Sequence, residues 1–185
     1  MLSNNISERG FCLVDDNLVD DVIQTISDWT PKAEYSSERK YRDDLLECLR
    51  QNLNAEFQEY SSAIWGLEHS GCHCIQKEAG RSLADIGIDN EIGIELKRNF
   101  KSKTQMNRLV GQVIDHLFGG YFCVIIVLCG RTDQEAFDTL KHNLQKIFSS
   151  FSAPCGDEEK LVKIVSKSKY KRPKKHKLSS VYIST

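Results

Sequence analysis

No apolar run in the 185 residues is long enough to span a bilayer. The N-terminus also lacks a basic segment followed by an apolar one. Neither a membrane span nor a secretory leader is therefore expected, and an intracellular protein follows, cytoplasmic or, in a eukaryote, nuclear. An even cysteine count is missing too: the seven cysteines of a chain without a leader read as free thiols rather than a disulfide framework. Cys123 and Cys129 flank or occupy a very apolar stretch, where cysteine behaves as a small hydrophobe. Cys72-His73-Cys74 is not followed by a second Cys/His pair at zinc-site spacing, which argues against a zinc centre. The chain also lacks a glycine loop of the kind that cradles phosphate, a cofactor fingerprint and a Ser/His/Asp arrangement.

Acidic residues are absent from one long stretch. Residues 160–185 hold nine Lys and Arg and no Asp or Glu. Of the 25 basic and 26 acidic side chains in the whole chain, this leaves 16 against 26 on residues 1–159, a formal charge of −10 behind a net charge of −1. A basic tail on an acidic body suits a phosphate backbone, which binds clustered Lys and Arg with release of counterions. Lys171, Arg172, Lys174 and Lys175 are the densest part of that tail. It reads as a nucleic-acid arm, a solubilising tail or a nuclear-localisation-like address.

The stretch that organises the rest runs from Leu83 to Arg98. On each side of Asp89-Asn90-Glu91 apolar residues alternate with polar ones or glycine, the period-2 pattern of a hairpin whose two faces meet different surroundings. A three-residue loop, with Asn90 or Glu91 left-handed, pairs residues whose numbers sum to 180. Asp85 then faces Glu95, Gly87 faces Gly93, Ile86 faces Ile94 and Ile88 faces Ile92. A two-residue loop would set Asp85 opposite Ile94, because a one-residue slip reverses every side chain. The three-residue loop is the one expected. The glycines on the acid-bearing face suggest a close approach by ligand or backbone.

Carboxylates paired across strands, with Cβ atoms about 4.5–5.5 Å apart, repel each other unless a positive charge lies between them. A hard divalent cation such as Mg²⁺ suits them, since it takes one or two carboxylates and leaves the rest of its shell for water and phosphate. Lys97 stands on the same face, about 7 Å along the strand from Glu95, where an ammonium could align a water or offset charge on a phosphate. The alternative is a surface hairpin with two solvated acids and a cross-strand lysine. Glu-x-Lys alone is uninformative, because Glu38-Arg39-Lys40 and Glu158-Glu159-Lys160 also fit it; only the middle copy sits in a strand pattern with an aspartate across a turn.

Asp85, nine residues, then Glu95-Leu96-Lys97, with a helix before and a helix-strand unit after, resembles the core of the PD-(D/E)XK nucleases, the restriction-endonuclease-like superfamily. The resemblance covers roughly residues 36 to 130, and Ala84 stands where the family name has proline, which removes no ligand. It implies an α/β fold with a restriction-endonuclease-like core, a mixed central sheet flanked by helices. It also implies that Asp85, Glu95 and the Leu96 carbonyl are metal ligands and that Lys97 is the catalytic lysine. Glu38, on the helix before the sheet, matches an acidic residue that often joins such sites; an acid favoured by the helix dipole is the alternative. Gln112 matches a glutamine on the following helix, against a solvated polar face. The expected activity is Mg²⁺-dependent hydrolysis of phosphodiester bonds, with Mn²⁺ as a substitute metal. DNA is the expected partner and RNA is not excluded. The biological setting is repair, junction resolution as a homodimer, or defence. The reading from another class is a non-catalytic nucleic-acid-binding or assembly module on the same fold.

The chain divides into an N-terminal helical segment packed on the core (1–35), the nuclease-like domain (36–166) and the basic tail (167–185). Asp15-Asp16-Asn17 offers caps for a helix to Trp29, with Leu18, Val22 and Ile26 at helical spacing. Ser36-Ser37 opens a second helix to Leu53, striped by Tyr41, Leu45 and Leu49. A helical extension and a loop are expected over 54–70, then a first strand at Cys72–Glu78. Arg98, Lys101 and Lys103 form a basic run at the mouth of the site, joined by Arg108 from the next helix. Ser102 or Thr104 caps that helix, which ends at Gly119-Gly120. Tyr121 to Leu128 is a continuous apolar run, the mark of a strand covered on both faces, and strand-helix-strand makes a right-handed parallel crossover. A helix over Gln134–Phe148 and a final edge strand at Leu161–Val165 complete the expected core.

Overall fold

The sheet separates two hydrophobic cores, with one pair of helices packed on each. The computed structural model describes residues 16–55, 72–150, 160–167 and 181–184. Helices α1 (Asp16–Asp28) and α2 (Glu38–Leu53) precede strands β1 (Ile75–Ala79), β2 (Ala84–Ile88) and β3 (Ile92–Arg98). Helix α3 (Lys103–Phe118) leads to β4 (Cys123–Cys129), and α4 (Gln134–Ser150) to β5 (Leu161–Lys167) and β6 (Val181–Ser184). The six strands lie side by side in chain order. Pairing is antiparallel from β1 to β3, parallel from β3 to β5, and antiparallel again between β5 and β6. The protein is thus α/β with a mixed sheet flanked by helices. Among the described residues no helix is long and apolar enough to cross a membrane.

Strand β4 shows how the sheet serves both cores. All seven of its residues are buried. Cys123, Ile125, Val127 and Cys129 join the core under α1 and α2, while Val124, Ile126 and Leu128 join the core under α3 and α4. The hairpin supplies Ile86, Ile88, Ile92, Ile94 and Leu96 to the first core. Each isoleucine there is fully buried, worth about 1.5–3 kcal/mol of transfer free energy. Leu18, Val22, Ile26 and Trp29 bring α1 onto the same core, as the periodicity of that segment predicts. Asp44 fixes the α1–α2 connection by accepting from the Lys32 backbone N–H at 2.8 Å and the Tyr35 hydroxyl at 3.0 Å.

Several boundaries differ from expectation. β1 begins at Ile75, after His73 Nδ1 and the Cys74 N–H have both engaged the Asp89 carboxylate at 2.6 Å. Cys72 and Cys74 are exposed, and among the described residues no metal cluster forms with His73. β4 starts at Cys123 rather than Tyr121, whose side chain turns back across the hairpin. β5 extends to Lys167 and is not an edge strand, because β6 pairs beside it through Ile164↔Val181 to Leu161↔Ser184. The basic tail expected over 167–185 therefore has both of its ends in the sheet. β-branched and aromatic residues of Val181-Tyr182-Ile183 suit a strand; the basic run before them masked that signal. Residues 11–15, most of 54–70 and the run 168–180, with Lys171, Arg172, Lys174 and Lys175, lie outside the described residues.

Candidate active site on the β2–β3 hairpin

The hairpin register is the expected one: Ile86↔Ile94, Gly87↔Gly93 and Ile88↔Ile92. The three-residue turn is closed by Glu91 N–H donating to the Ile88 carbonyl at 3.0 Å. The left-handed residues are Asp89 (φ 51°) and Asn90 (φ 60°), so Glu91 is not the one that takes this conformation. Asp and Asn tolerate it because their short polar side chains bond locally, and Asp89 does so to His73 and Cys74. The strand pairing ends at Ile86↔Ile94. Beyond it the Asp85 carboxylate reaches the β3 backbone at the Leu96 N–H and lies near enough to Glu95 to feel its charge, while Glu95 itself is on the face that looks toward α3.

The glycines of that face have a different purpose from the one expected. A Cβ on Gly87 would lie 2.7 Å from the Tyr121 hydroxyl, and one on Gly93 would lie 3.0 Å from the Tyr121 ring. The close approach is made by an aromatic side chain of this chain, not by a ligand. Tyr121 is locked there by donating to the Ala79 carbonyl at 2.8 Å.

Glu95 is the hub of the site. It is 2% exposed, so each lone pair needs a donor. Lys97 Nζ donates to Oε1 at 2.5 Å, and Gln112 Nε2 donates to the same oxygen at 2.6 Å. His116 Nε2 lies 3.1 Å from Oε2, while His116 Nδ1 lies 2.8 Å from Ser82 Oγ. Burial acts to raise the Glu95 carboxyl, but the His116 hydrogen bond and the Lys97 charge outweigh it and hold the group below the ordinary glutamate value. Asp85 goes the other way. Burial first, then the Glu95 charge, push it up to about 6, against the opposing pull of the Leu96 N–H that donates to Oδ2 at 2.8 Å.

Among the expected site residues, Asp85, Glu95, Lys97 and Gln112 come together. Leu96 takes part through its backbone N–H, its side chain being in the core. Glu38 lies in the first turn of α2 and accepts from the Arg98 N–H at 3.0 Å. It fastens the helix start to the end of β3, and its charge adds to the upward push on Asp85. Lys101 and Lys103 are exposed beyond β3, where left-handed Asn99 (φ 52°) turns the chain and fully buried Phe100 anchors it. Arg108 is exposed on α3. Ser102 caps that helix, with Gln105 completing a capping box. Sequence reasoning missed His116 and Ser82. Only the four-residue spacing from Gln112 to His116, one helical turn, could have flagged the histidine.

Whether these residues suit a divalent cation can be tested on the donors left over. Among the described residues no group of three or more His, Cys, Asp and Glu side chains is gathered as a metal cage. The expected ligand set needs only two carboxylates and a carbonyl, as Mg²⁺ allows. Two features fit it: the Asp85 carboxyl, raised by burial and then by the Glu95 charge, and the Gln112 Oε1 atom, which is buried without a hydrogen-bond partner among the described residues. The latter is an acceptor ready for a bound water. Compared with known proteins, the chain matches no family model, no curated protein and no solved structure.

Proposed function

We propose that this chain is a Mg²⁺-dependent nuclease with a restriction-endonuclease-like core, cutting phosphodiester bonds in DNA. The observation that carries the reading is the closeness of the Asp85 and Glu95 carboxylates on adjoining strands, with Asp85 tied to the Leu96 N–H and Lys97 bonded to Glu95. Burial and the Glu95 charge both oppose ionisation of Asp85, and a bound cation would offset them. The order helix, hairpin, helix and parallel strand around these residues adds support.

Asp85, Glu95 and the Leu96 carbonyl would hold the ion. Bound there, Mg²⁺ would polarise the phosphate and acidify a water. Lys97 would exchange its bond to Glu95 for the attacking water or for a phosphate oxygen on which charge develops. Gln112 keeps one oxygen of Glu95 in place through its amide N–H and offers its free Oε1 to a water. Lys101, Lys103 and Arg108 would hold the backbone of the nucleic acid beside the strand end.

Nicking of supercoiled plasmid with Mg²⁺ or Mn²⁺, against chelator, tests this. Glu95→Ala and Lys97→Ala are each expected to lower the rate by about 10²–10³. A second reading, a non-catalytic nucleic-acid-binding or assembly module, is favoured by the three donors that Glu95 already takes from its own chain. Binding that survives both substitutions, with no cleavage under either metal, would establish the module instead.

A further inference from the structure

Ser82, His116 and Glu95 form a chain of hydrogen bonds from a turn to the buried carboxylate. An ionised carboxylate can only accept, so His116 must donate through Nε2. Nδ1 meets the Ser82 hydroxyl, which can donate to it or accept from it. The ring is 1% exposed and meets Tyr121 edge to face, with centroids 6.1 Å apart. Ser82 is itself held close against the end of α3, where a Cβ on Gly119 would lie 2.9 Å from its Oγ. The buried ring has no room to swing, and the half-buried serine lies against the helix end.

This matters because the two oxygens of Glu95 are unequally occupied. A carboxylate has about four lone-pair sites. Lys97 and Gln112 take both of those on Oε1. Oε2 takes His116 alone, so among the described residues the remaining acceptor site is on Oε2.

We propose that His116, locked by Ser82, is a positioning residue that aims the open lone pair of Glu95 Oε2 at the divalent cation. The inference rests on the reading of Glu95 as a metal ligand and deepens it. His116 itself touches neither metal nor substrate. Its effect should be on affinity for the ion, where loss of an orienting partner typically costs 10–100-fold.

The test is Mn²⁺ binding to the full chain, followed by calorimetry and by electron paramagnetic resonance, with thermal melting as the check on folding. His116→Ala is expected to weaken Mn²⁺ binding about 10–100-fold. His116→Gln, which restores an N–H near the Nε2 position, should recover most of that loss. Ser82→Ala, which leaves the ring in place, should weaken binding several-fold. In nicking assays the metal concentration for half-maximal rate should rise while the rate at saturating metal is largely kept.

His116→Ala that melts like the wild type and binds Mn²⁺ equally well overturns the proposal. If His116→Ala does not fold, unchanged Mn²⁺ binding by folded Ser82→Ala overturns it in the same way. Failure of the underlying reading looks different: the wild-type protein itself would not bind Mn²⁺, or Glu95→Gln would bind it undiminished.

Discussion

At neutral pH the carboxyl of Asp85 is ionised in a place that resists ionisation, and this has a measurable sign. Its value of about 6 stands above the ordinary 3.8. Between those values the folded protein binds the proton more tightly than the unfolded chain. Stability therefore falls as pH rises through roughly 4 to 6, and the full cost is present above that window. On the order of 1–3 kcal/mol is involved. Asp85→Asn keeps an acceptor for the Leu96 N–H and removes the charge. In chelator, urea unfolding should show the variant more stable than the wild type at pH 7, with the gap closing toward pH 4. Equal stability at both values would mean that Asp85 bears no such strain. Glu95 has the opposite sign, because its carboxyl is held below the ordinary value; what it contributes is present at neutral pH and lost on acidification. Two neighbouring acids thus act on stability with opposite signs.

The hairpin and the helix behind it are fixed by different kinds of information. Gly87→Ala would drive a methyl group into both the Ala79 Cβ, at 2.6 Å, and the Tyr121 hydroxyl. A loss of about 1–3 kcal/mol is expected, read as a lowered urea midpoint. Tyr121→Phe removes the bond to Ala79 with little change of shape and should cost about 1 kcal/mol. Ser102→Ala breaks the capping box of α3 at a cost of about 1 kcal/mol. The register of the hairpin was legible because turn length and the two-residue alternation leave one pairing that puts all the isoleucines on one face. The helices were legible from their apolar stripes. What was not legible is long-range. Tyr121 follows Gly119-Gly120 and reads as the start of an apolar strand, and nothing local says that it folds back under Gly87 and Gly93. His116 reads as one more polar residue near the end of a helix, and Ser82 as a turn residue; their meeting 34 positions apart is a product of packing. Glu38 lies on the predicted helix, yet its observed partner is the backbone of Arg98.

On the scale of the whole molecule, the −10 of residues 1–159 must be set against the basic run of the tail. Removing residues 167–185 outright is a poor test of this, because it strips β6 from the sheet and bares the edge of β5. Neutralising Lys171, Arg172, Lys174 and Lys175 to Gln leaves both strands in place. If the run binds phosphates, DNA affinity should fall. The slope of log affinity against log salt should flatten by about 0.9 for each phosphate no longer neutralised, up to roughly 3–4 in all. An unchanged slope would place the DNA-binding charge elsewhere, with Lys101, Lys103 and Arg108 the next to replace.

Strands β3, β4 and β5 run parallel and in register, so Arg98, Cys129 and Lys167 stand in one row at one rim of the sheet. Two strand spacings separate the first from the last, about 10 Å. The thirteen residues 168–180 leave from that rim and rejoin the sheet at Val181, so covalent length alone confines their charges to within roughly 25 Å of it. If the run binds a polyanion as proposed, the bound segment stays within that reach of Arg98 and of Lys97 one residue before it, which sets an upper bound on the span between the two.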